Sequence, residues 1–182
     1  MIIDPKIVTL KNNTKITLRS VKVSEAQALL NHLKISHTES YRNLNREASY
    51  WDTVTTVEEE KLLANLEQSL TKFMLGAFDQ DRIVGGLSLF GMDIGATRFT
   101  GQLGMSIQLA YGGMGLGTAM MNYAIESARR TGTKRIELSV RTYNDAGIAL
   151  YEKSGFRRVG TLNSTAFIDG KFVDEHLYEL VT

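Results

Sequence analysis

The chain has 182 residues, the length of one domain that can bury a sizeable core. Its 21 lysine and arginine residues nearly balance 20 aspartate and glutamate residues, so the sequence lacks the basic excess typical of nucleic-acid-binding proteins. Cysteine is absent, which excludes disulfides, thiolate metal sites and a cysteine nucleophile.

The amino-terminal residues predict neither a signal peptide nor a membrane span. Residues 1–10 include Asp4 and Pro5 and contain no long apolar run. We therefore expect a soluble, cytoplasmic protein without a membrane partner. A single proline and the lack of low-complexity tracts favour one domain over residues 1–182. The sequence does not predict the oligomeric state, and a homodimer stays open.

The first third of the chain predicts a strand followed by two helices. Residues 16–19 alternate as in a strand, and Ser24 is expected to open a helix. Residues 36–55 mix polar, charged and aromatic side chains, which favours surface loops or short helical turns. Residues 55–59, Thr-Thr-Val-Glu-Glu, predict a helix that begins with a threonine cap and a capping-box glutamate.

The rest of the chain predicts strands separated by two further helices. The strands are expected at residues 73–78, 83–90, 98–109, 135–140, 156–165 and 172–180. A loop is expected around residues 93–96, and the helices at residues 118–130 and 144–154, the second ended by Gly155. Hairpins and crossovers are mixed in this order, which predicts an α+β protein with a mixed sheet and helices on both faces.

A glycine-rich stretch lies between the third of these strands and the next helix. Four glycines fall within residues 112–117, here called the glycine loop. Glycines tolerate positive φ, and the first N–H groups of a helix are unpaired, so such a loop can hold a phosphate. The alternative is a glycine-rich turn that binds no ligand.

The spacing of the glycine loop excludes two common phosphate motifs. A Walker loop requires lysine and then serine or threonine after its last glycine, but Gly117 is followed directly by Thr118. The dinucleotide pattern G-x-G-x-x-G, begun at Gly113, would need glycine at Thr118 as well. A nucleotide-binding protein is therefore disfavoured.

A second stretch, residues 144–156, combines an amide and a phenol on one predicted helix. Asn144, Ile148 and Tyr151 fall along one stripe, with Asn144 and Tyr151 about 10 Å apart along the axis. A ligand arm on this stripe would meet both side chains. Asn144 also suits a helix N-cap, and buried tyrosines mostly pack, so these structural interpretations stay open.

The two stretches together resemble the two signatures of the GNAT N-acetyltransferases. Residues 169–176 are similar to the closing strands of the branch that contains ribosomal-protein and small-amine acetyltransferases. The resemblance covers nearly the whole chain and implies a mostly antiparallel sheet of about seven strands. It also implies acetyl-CoA as donor and a primary amine, of a small molecule or a peptide N-terminus, as acceptor.

The resemblance assigns site residues one by one. Tyr151 matches the usual general acid, and a phenol with a pKa near 10 can protonate the thiolate that leaves the thioester. Main-chain pairing with the pantetheine arm and amide contacts to the pyrophosphate are implied for a larger set. That set is Ile107, Gln108, Leu109, Gly112, Gly113, Met114, Gly115, Leu116, Gly117 and Asn144.

Two positions depart from the family pattern. Gly112 stands where relatives usually have arginine or glutamine, so one contact to the pyrophosphate is expected to be missing. Gln102 matches a position that is often a glutamate base, and glutamine cannot accept a proton at neutral pH. Glu39, Glu47 and Glu137 are further candidates, for which surface exposure is the better expectation, so the general base stays unassigned.

No other chemistry is indicated by the sequence. His32, His37 and His176 lack the spacing of metal ligands, and no G-x-S-x-G elbow is present, which favours direct attack of the amine without a metal. Aromatic and acidic side chains in residues 36–55 suit an acceptor cation with an apolar body, although they can equally pack onto the core. A non-catalytic acyl-CoA-binding or regulatory module is the alternative function.

Overall fold

The computed structural model of the protein describes residues 1–91 and 94–182, so Asp93, where a loop is predicted, lies outside the described residues. The strands are β1 (Lys6–Thr9), β2 (Lys15–Ser20), β3 (Phe73–Asp79), β4 (Arg82–Gly91), β5 (Thr100–Ile107), β6 (Arg135–Arg141), β7 (Arg157–Ile168) and β8 (Lys171–Val181). The helices are α1 (Ala26–Glu39), α2 (Tyr50–Thr53), α3 (Thr56–Gln68), α4 (Leu116–Arg130) and α5 (Asp145–Lys153). Short 3-10 turns lie at Val23–Glu25 and Leu109–Tyr111.

In the described residues, the strands form one eight-stranded sheet in the order β1-β2-β3-β4-β5-β6-β8-β7. Neighbouring strands pair antiparallel except for β5 and β6, which are parallel. The predicted α+β fold with a mixed, mostly antiparallel sheet is confirmed. The structure has one strand more than the seven that the sequence predicts. This strand is β1, a four-residue edge strand whose side chains are mostly exposed, so its sequence carries little hydrophobic alternation.

Helices cover both faces of the sheet. On one face, α1 and α3 bury Leu29 and Leu63 against Phe78 of β3. On the other face, α4 buries Met120 in the main core, which also contains Leu87 of β4. Alternate residues of the central strands therefore face opposite layers, as the period of a strand requires.

The amino-terminal helices differ in part from the prediction. Ser24 lies within the 3-10 turn, and α1 begins at Ala26. It continues to Glu39, because Ser36 and His37 are buried and extend its packed face into the segment expected to be loops. The predicted cap of α3 is confirmed, since Thr55 accepts from the N–H of Glu58 and the Glu58 carboxylate accepts from the N–H of Thr55 at 2.8 Å.

The sheet opens between β5 and β6. Their register pairs are Thr100 with Arg135, Gly101 with Ile136 and Gln102 with Glu137. Beyond Gln102 the two strands diverge, whereas β5 stays paired with β4 as far as Ile107. One edge of β5 therefore faces a gap, here called the opening, which lies between the end of β5 and β6.

Candidate functional site

The glycine loop connects β5 to the start of α4. Gly113 and Gly115 have φ values of +69° and +92°, and Gly115 is the N-cap of the 15-residue helix α4. A Cβ added at either position would meet no atom within 4 Å. Glycine is thus required by the backbone conformation, and open space lies beside the positive end of a helix dipole. This arrangement can hold a phosphate through backbone N–H groups.

The other glycine-loop residues have different surroundings. A Cβ at Gly117 would lie 3.1 Å from Leu150 and 3.4 Å from Ile107, so this glycine lets α4 pack closely on α5 and β5. Leu116 is buried in the main core, and the partly buried side chain of Met114 packs against this core. Gly112 has a negative φ of −69° and does not need glycine for its conformation.

A basic residue that the sequence analysis missed lies at the glycine loop. Lys11, in the turn between β1 and β2, donates its main-chain N–H to the carbonyl oxygen of Met114 at 3.1 Å. Its Nζ lies 3.4 Å from the carbonyl oxygen of Gly113. A positive charge therefore stands beside the loop although Gly112 supplies none. No local signal marks Lys11, because about 100 residues separate it from the loop in sequence.

Most main-chain N–H groups of residues 107–109 already have hydrogen-bond partners within the protein. Ile107 pairs with Gly85, and Gln108 donates its N–H to the carbonyl of Val84 at 3.0 Å. The N–H of Leu109 donates to Oε2 of Glu39 at 2.8 Å. Main-chain groups that a ligand could still contact are therefore expected on the edge of β5 that faces the opening.

The side chain of Gln108 contacts α1. Its amide nitrogen lies 3.3 Å from Nδ1 of His32, whose Nε2 is 3.0 Å from Oγ of Ser106. Burial and, to a lesser degree, the nearby His37 lower the pKa of His32 to about 4. A neutral ring that accepts from Gln108 and donates to Ser106 satisfies all three groups. His32 is thus a hydrogen-bonded core residue.

Asn144 caps α5. Its Oδ1 accepts from the N–H of Gly147 at 3.0 Å, as predicted for a helix N-cap. A Cβ at Gly147 would lie 2.7 Å from Nδ2 of Asn144, so glycine there makes room for the capping side chain. The Asn144 oxygen is used in the cap, which leaves its NH₂ group for any contact to a ligand.

Tyr151 lies on the inner face of α5, behind the opening. It is 9% exposed, and its ring centroid lies 6.1 Å from that of Phe156 and 6.4 Å from that of Tyr178. Burial raises the pKa of Tyr151 to about 12, so its phenol is protonated at neutral pH and can act as a proton donor. Tyr151 both packs in the core and lines a cavity.

That cavity, here called the Tyr151 cavity, has a volume of about 240 Å³ and lies where β5 and β6 diverge. Side chains and backbone from β5, β6 and α5 surround it, including Gln102, Met105, Ser139 and Tyr151. The carboxyl group in its lining belongs to Glu175, which pairs with buried Arg141 at 2.6 Å.

Of the predicted base positions, Gln102 lies at the Tyr151 cavity and the three glutamates lie outside it. Gln102 lines the Tyr151 cavity, but it is an amide. Glu39 holds the N–H of Leu109, and Glu137 forms an ion pair with Arg135 at 2.7 Å. Glu47 lies near Ser49, whose Oγ is 3.5 Å from its carboxylate. The structure therefore brings Tyr151 and Gln102 together and leaves these three glutamates outside the Tyr151 cavity.

A larger cavity adjoins the Tyr151 cavity. It has a volume of about 670 Å³ and is here called the aromatic cavity, because Tyr50, Trp51 and Phe90 line it together with residues of α1 and α3. The two cavities share a common wall. The shared lining residues are Leu44, Asn45, Ser88, Phe90, Gly104 and Met105.

The segment between α1 and α2 is fastened over both cavities. Oδ1 of Asn45 accepts from Nη2 of Arg141 at 2.8 Å. At the other end of the segment, Tyr41 donates to Asp169 and Arg42 pairs with the same carboxylate at 3.1 Å. Residues of the predicted acceptor segment thus form part of the cavity walls and are tied to β6 and to the β7–β8 turn.

Neither a metal site nor a membrane helix is found in the described part of the chain. No group of three or more histidine, aspartate or glutamate side chains among residues 1–91 and 94–182 could hold a metal ion. Within the same residues, each helix is too short or too polar to cross a membrane.

Comparisons with known proteins agree with this architecture. The model of the acetyltransferase (GNAT) family matches residues 29–156. No curated protein sequence matches the chain. An acetyltransferase of the GNAT family from Streptococcus pneumoniae is 28% identical, with a TM-score of 0.86 over 91% of this chain and 98% of that chain.

Two more distant solved structures share the fold. The putative acetyltransferase yncA from Salmonella typhimurium, solved with its cofactor acetyl-CoA, is 18% identical, with a TM-score of 0.79 over 91% of this chain and 93% of that chain. The ribosomal-protein-S5-alanine acetyltransferase from Vibrio fischeri is 18% identical, with a TM-score of 0.80 over 91% and 92% of the two chains. Since the family model matches more than half of the sequence, the chain belongs to the acetyltransferase (GNAT) family.

Proposed function

We propose that the protein, as a single domain spanning residues 1–182, moves the acetyl group of acetyl-CoA to a primary amine by direct attack, with Tyr151 as general acid. One observation carries the proposal. The glycine loop, the free edge of β5 and the phenol of Tyr151 converge on the same opening in the sheet. Family membership supports acetyl transfer in general.

The donor is expected to lie along the opening. The backbone at Gly113 and Gly115, together with the N-terminus of α4, suits the pyrophosphate of acetyl-CoA. Lys11 adds a positive charge at the same place. The unpaired edge of β5 suits an extended pantetheine arm, whose amides can pair as a short extra strand. The solved structure of yncA contains acetyl-CoA, which supports this choice of donor.

The chemistry requires one proton donor at the sulfur. Attack by the amine forms a C–N bond and breaks the C–S bond. The leaving thiolate takes the proton of the Tyr151 phenol, and the proton that the acylated nitrogen loses restores the phenol. The phenol of Tyr151 suits this role, because its pKa of about 12 keeps it protonated until the thiolate forms. The amine must enter uncharged, so the rate is expected to rise with pH until the pKa of the acceptor is passed.

The acceptor is expected to enter through the aromatic cavity. Its volume of about 670 Å³ is in the range of small-molecule sites and also admits the first residue of a peptide. A structural neighbour is a ribosomal-protein-alanine N-acetyltransferase from Brucella melitensis, which supports an amine of a peptide as acceptor. The near-neutral charge of the chain disfavours a nucleic acid as partner.

Binding and transfer can be tested separately. Acetyl-CoA should produce heat in calorimetry and raise the melting temperature, because it binds the folded state. Thiol release should then follow when polyamines, amino-acid analogues or peptides with different first residues are added. Binding without transfer to any amine would instead favour a non-catalytic acyl-CoA-binding module, and the lack of binding would contradict the assignment of the glycine loop.

A further inference from the structure

A buried carboxyl group lines the aromatic cavity. Glu59, in the first turns of α3, is 4% exposed and shares the buried face of this helix with Leu63 and Leu66. Its Oε1 is buried and has no hydrogen-bond partner among residues 1–91 and 94–182. An apolar residue at this position would complete the buried face, so a carboxyl group there lowers stability unless a ligand meets it.

Glu59 also lacks a neutralising charge in the described structure. Two basic side chains line the same cavity, His37 and Arg46. Burial lowers the pKa of His37, and the guanidinium of Arg46 lies over the ring of Tyr50, 4.0 Å from the centroid. No ion pair within the described residues joins Arg46 to Glu59. The neighbouring Glu58 is used in the capping box with Thr55. Glu59 is therefore an acid of this cavity whose charge no ion pair compensates within residues 1–91 and 94–182.

Aromatic rings surround this acid. Trp51 and Phe90 line the cavity, and the ring of His37 meets that of Trp51 edge-on with centroids 5.0 Å apart. Nε1 of Trp51 is itself buried without a hydrogen-bond partner in the described part of the chain. A carboxylate among aromatic faces is the arrangement that recognises organic cations, through charge pairing and cation–π contacts.

The position of Glu59 separates it from the expected reaction centre. Glu59 lines the aromatic cavity but not the adjoining Tyr151 cavity, where the thioester is expected. Backbone and side chains of the shared wall, including Ser88 and Met105, lie between the two. A cation at Glu59 is therefore a different group from the amine that attacks.

We propose that the aromatic cavity selects amine acceptors that carry a second, non-reacting cationic group, which pairs with Glu59 and packs on Trp51 and Phe90. The preferred acceptors are diamines and related dications whose two charges are joined by an apolar spacer. The spacer would run along the shared wall from the aromatic cavity to the Tyr151 cavity. The predicted preference among acceptors rests on the proposed function, because it requires that an amine is acetylated. The binding of a cation at Glu59 does not depend on that reaction.

The cation site can be tested without any transfer reaction. Trp51 is the single tryptophan of the chain, so its fluorescence reports binding in the aromatic cavity. Hexyltrimethylammonium serves as the probe, because it has the spacer and the charge but no N–H to acetylate. It should change the Trp51 emission, and Glu59→Gln should weaken its binding by about tenfold or more. Glu67→Gln is the matched control, since Glu67 is exposed on the same helix.

The choice of acceptor gives a second readout. Hexamethylenediamine and n-heptylamine have the same length and the same reacting amine, and they differ in the charge at the far end. We expect kcat/KM to favour the diamine, and the preference to fall by about tenfold or more in Glu59→Gln, mainly through KM. The preference should be unchanged in Glu67→Gln. Glu59→Met serves as a second variant if the glutamine protein does not fold.

The outcomes separate this inference from the proposed function. Acetylation of both amines with the same preference in the wild type and Glu59→Gln would overturn the cation site and leave the N-acetyltransferase intact. A loss of kcat that is equal for both amines would also overturn it, because Glu59 would then act on the reacting nitrogen. Glu59-dependent binding of the probe without acetylation of any amine would uphold the cation site and contradict the transfer reaction.

Discussion

The donor side and the acceptor side of the opening are built from different kinds of chemical group. The proposed donor side consists of the glycine loop, the edge of β5 and the start of α5, and it would use mainly backbone groups within these short segments. The proposed acceptor side is the aromatic cavity, which is lined by side chains from α1, α2, α3, β4 and β5. A backbone site depends on local conformation, whereas a side-chain site depends on how distant elements pack.

Because of this difference, we expect the two sides to recognise different kinds of ligand. Backbone N–H groups and a helix dipole hold any phosphate of suitable shape, so the donor side suits a cofactor common to many enzymes. The aromatic cavity contains Glu59 and Trp51, whose Oε1 and Nε1 have no hydrogen-bond partner among residues 1–91 and 94–182, so a ligand there would be expected to meet these polar atoms. The donor side is thus expected to determine which acyl carrier binds, and the acceptor side which amine reacts.

The largest expected effect is the loss of acetyl-CoA binding in Gly115→Val. A valine at φ +92° is strained, and its side chain would fill the open space at the start of α4. We expect Kd, measured by calorimetry, to rise by about two orders of magnitude or more. Gly132→Val is the matched control, because Gly132 follows the other end of α4 with φ +83° and equally open space. An equal loss of affinity in both variants would mean that strain alone is responsible.

Tyr151→Phe is expected to have the next largest effect. Loss of the phenol should lower kcat by roughly one to three orders of magnitude and change the affinity for acetyl-CoA by no more than a few-fold. Tyr178→Phe is the control. Its ring lies 6.4 Å from that of Tyr151, and its hydroxyl donates to Glu152 at 2.8 Å. A Tyr151→Phe enzyme with the wild-type kcat would show that this phenol only packs.

The sequence predicts the backbone conformation of the proposed donor side well, because its signals are local. The N-cap at Asn144 is observed, and Gly155 adopts the left-handed conformation expected after α5, with φ +91°. Gly113 and Gly115 likewise have the positive φ that the glycine loop suggested. In each of these cases a side chain or a glycine acts on backbone groups within a few residues.

The sequence predicts the acceptor side poorly, because its groups meet only through tertiary packing. Glu59 was expected as a candidate partner in the capping box, whereas Glu58 takes that role and Glu59 enters the cavity. Which side of a helix faces a cavity depends on elements that are remote in sequence, and no local pattern encodes it.

The melting temperature of Glu59 variants would show whether the acceptor side contains an unneutralised buried acid. Burial raises the pKa of Glu59, so its carboxyl group binds a proton more tightly in the folded state than in the unfolded state. Its contribution to stability is fully present below the unfolded pKa of 4.5 and is lost as pH rises through the folded pKa. Glu59→Met should therefore raise the melting temperature at neutral pH by about 2–4 °C.

The pH dependence is the decisive part of that measurement. The difference between Glu59→Met and the wild type should shrink as pH falls through the raised pKa of folded Glu59 toward 4.5, because the buried carboxyl group then takes up a proton and no longer carries an unpaired charge. His37, whose pKa burial lowers, titrates in both proteins and cancels from the comparison. Glu67→Met, an exposed change on α3, is the control. A difference that does not vary with pH would mean that Glu59 is not an unpaired buried acid.

The smallest expected effect concerns Lys11, the part of the donor side that local sequence does not reveal. Its Nζ lies beside the carbonyl of Gly113, close to where the pyrophosphate is expected, but the side chain is exposed and screened by solvent. Lys11→Met should therefore weaken acetyl-CoA binding only about three- to fivefold at low ionic strength, and less in high salt. Lys15→Met is the matched control, because Lys15 is an exposed lysine at the start of β2. Equal effects of the two variants would reduce Lys11 to a general surface charge, whereas a selective loss would place a residue from the β1–β2 turn in a site otherwise built from backbone.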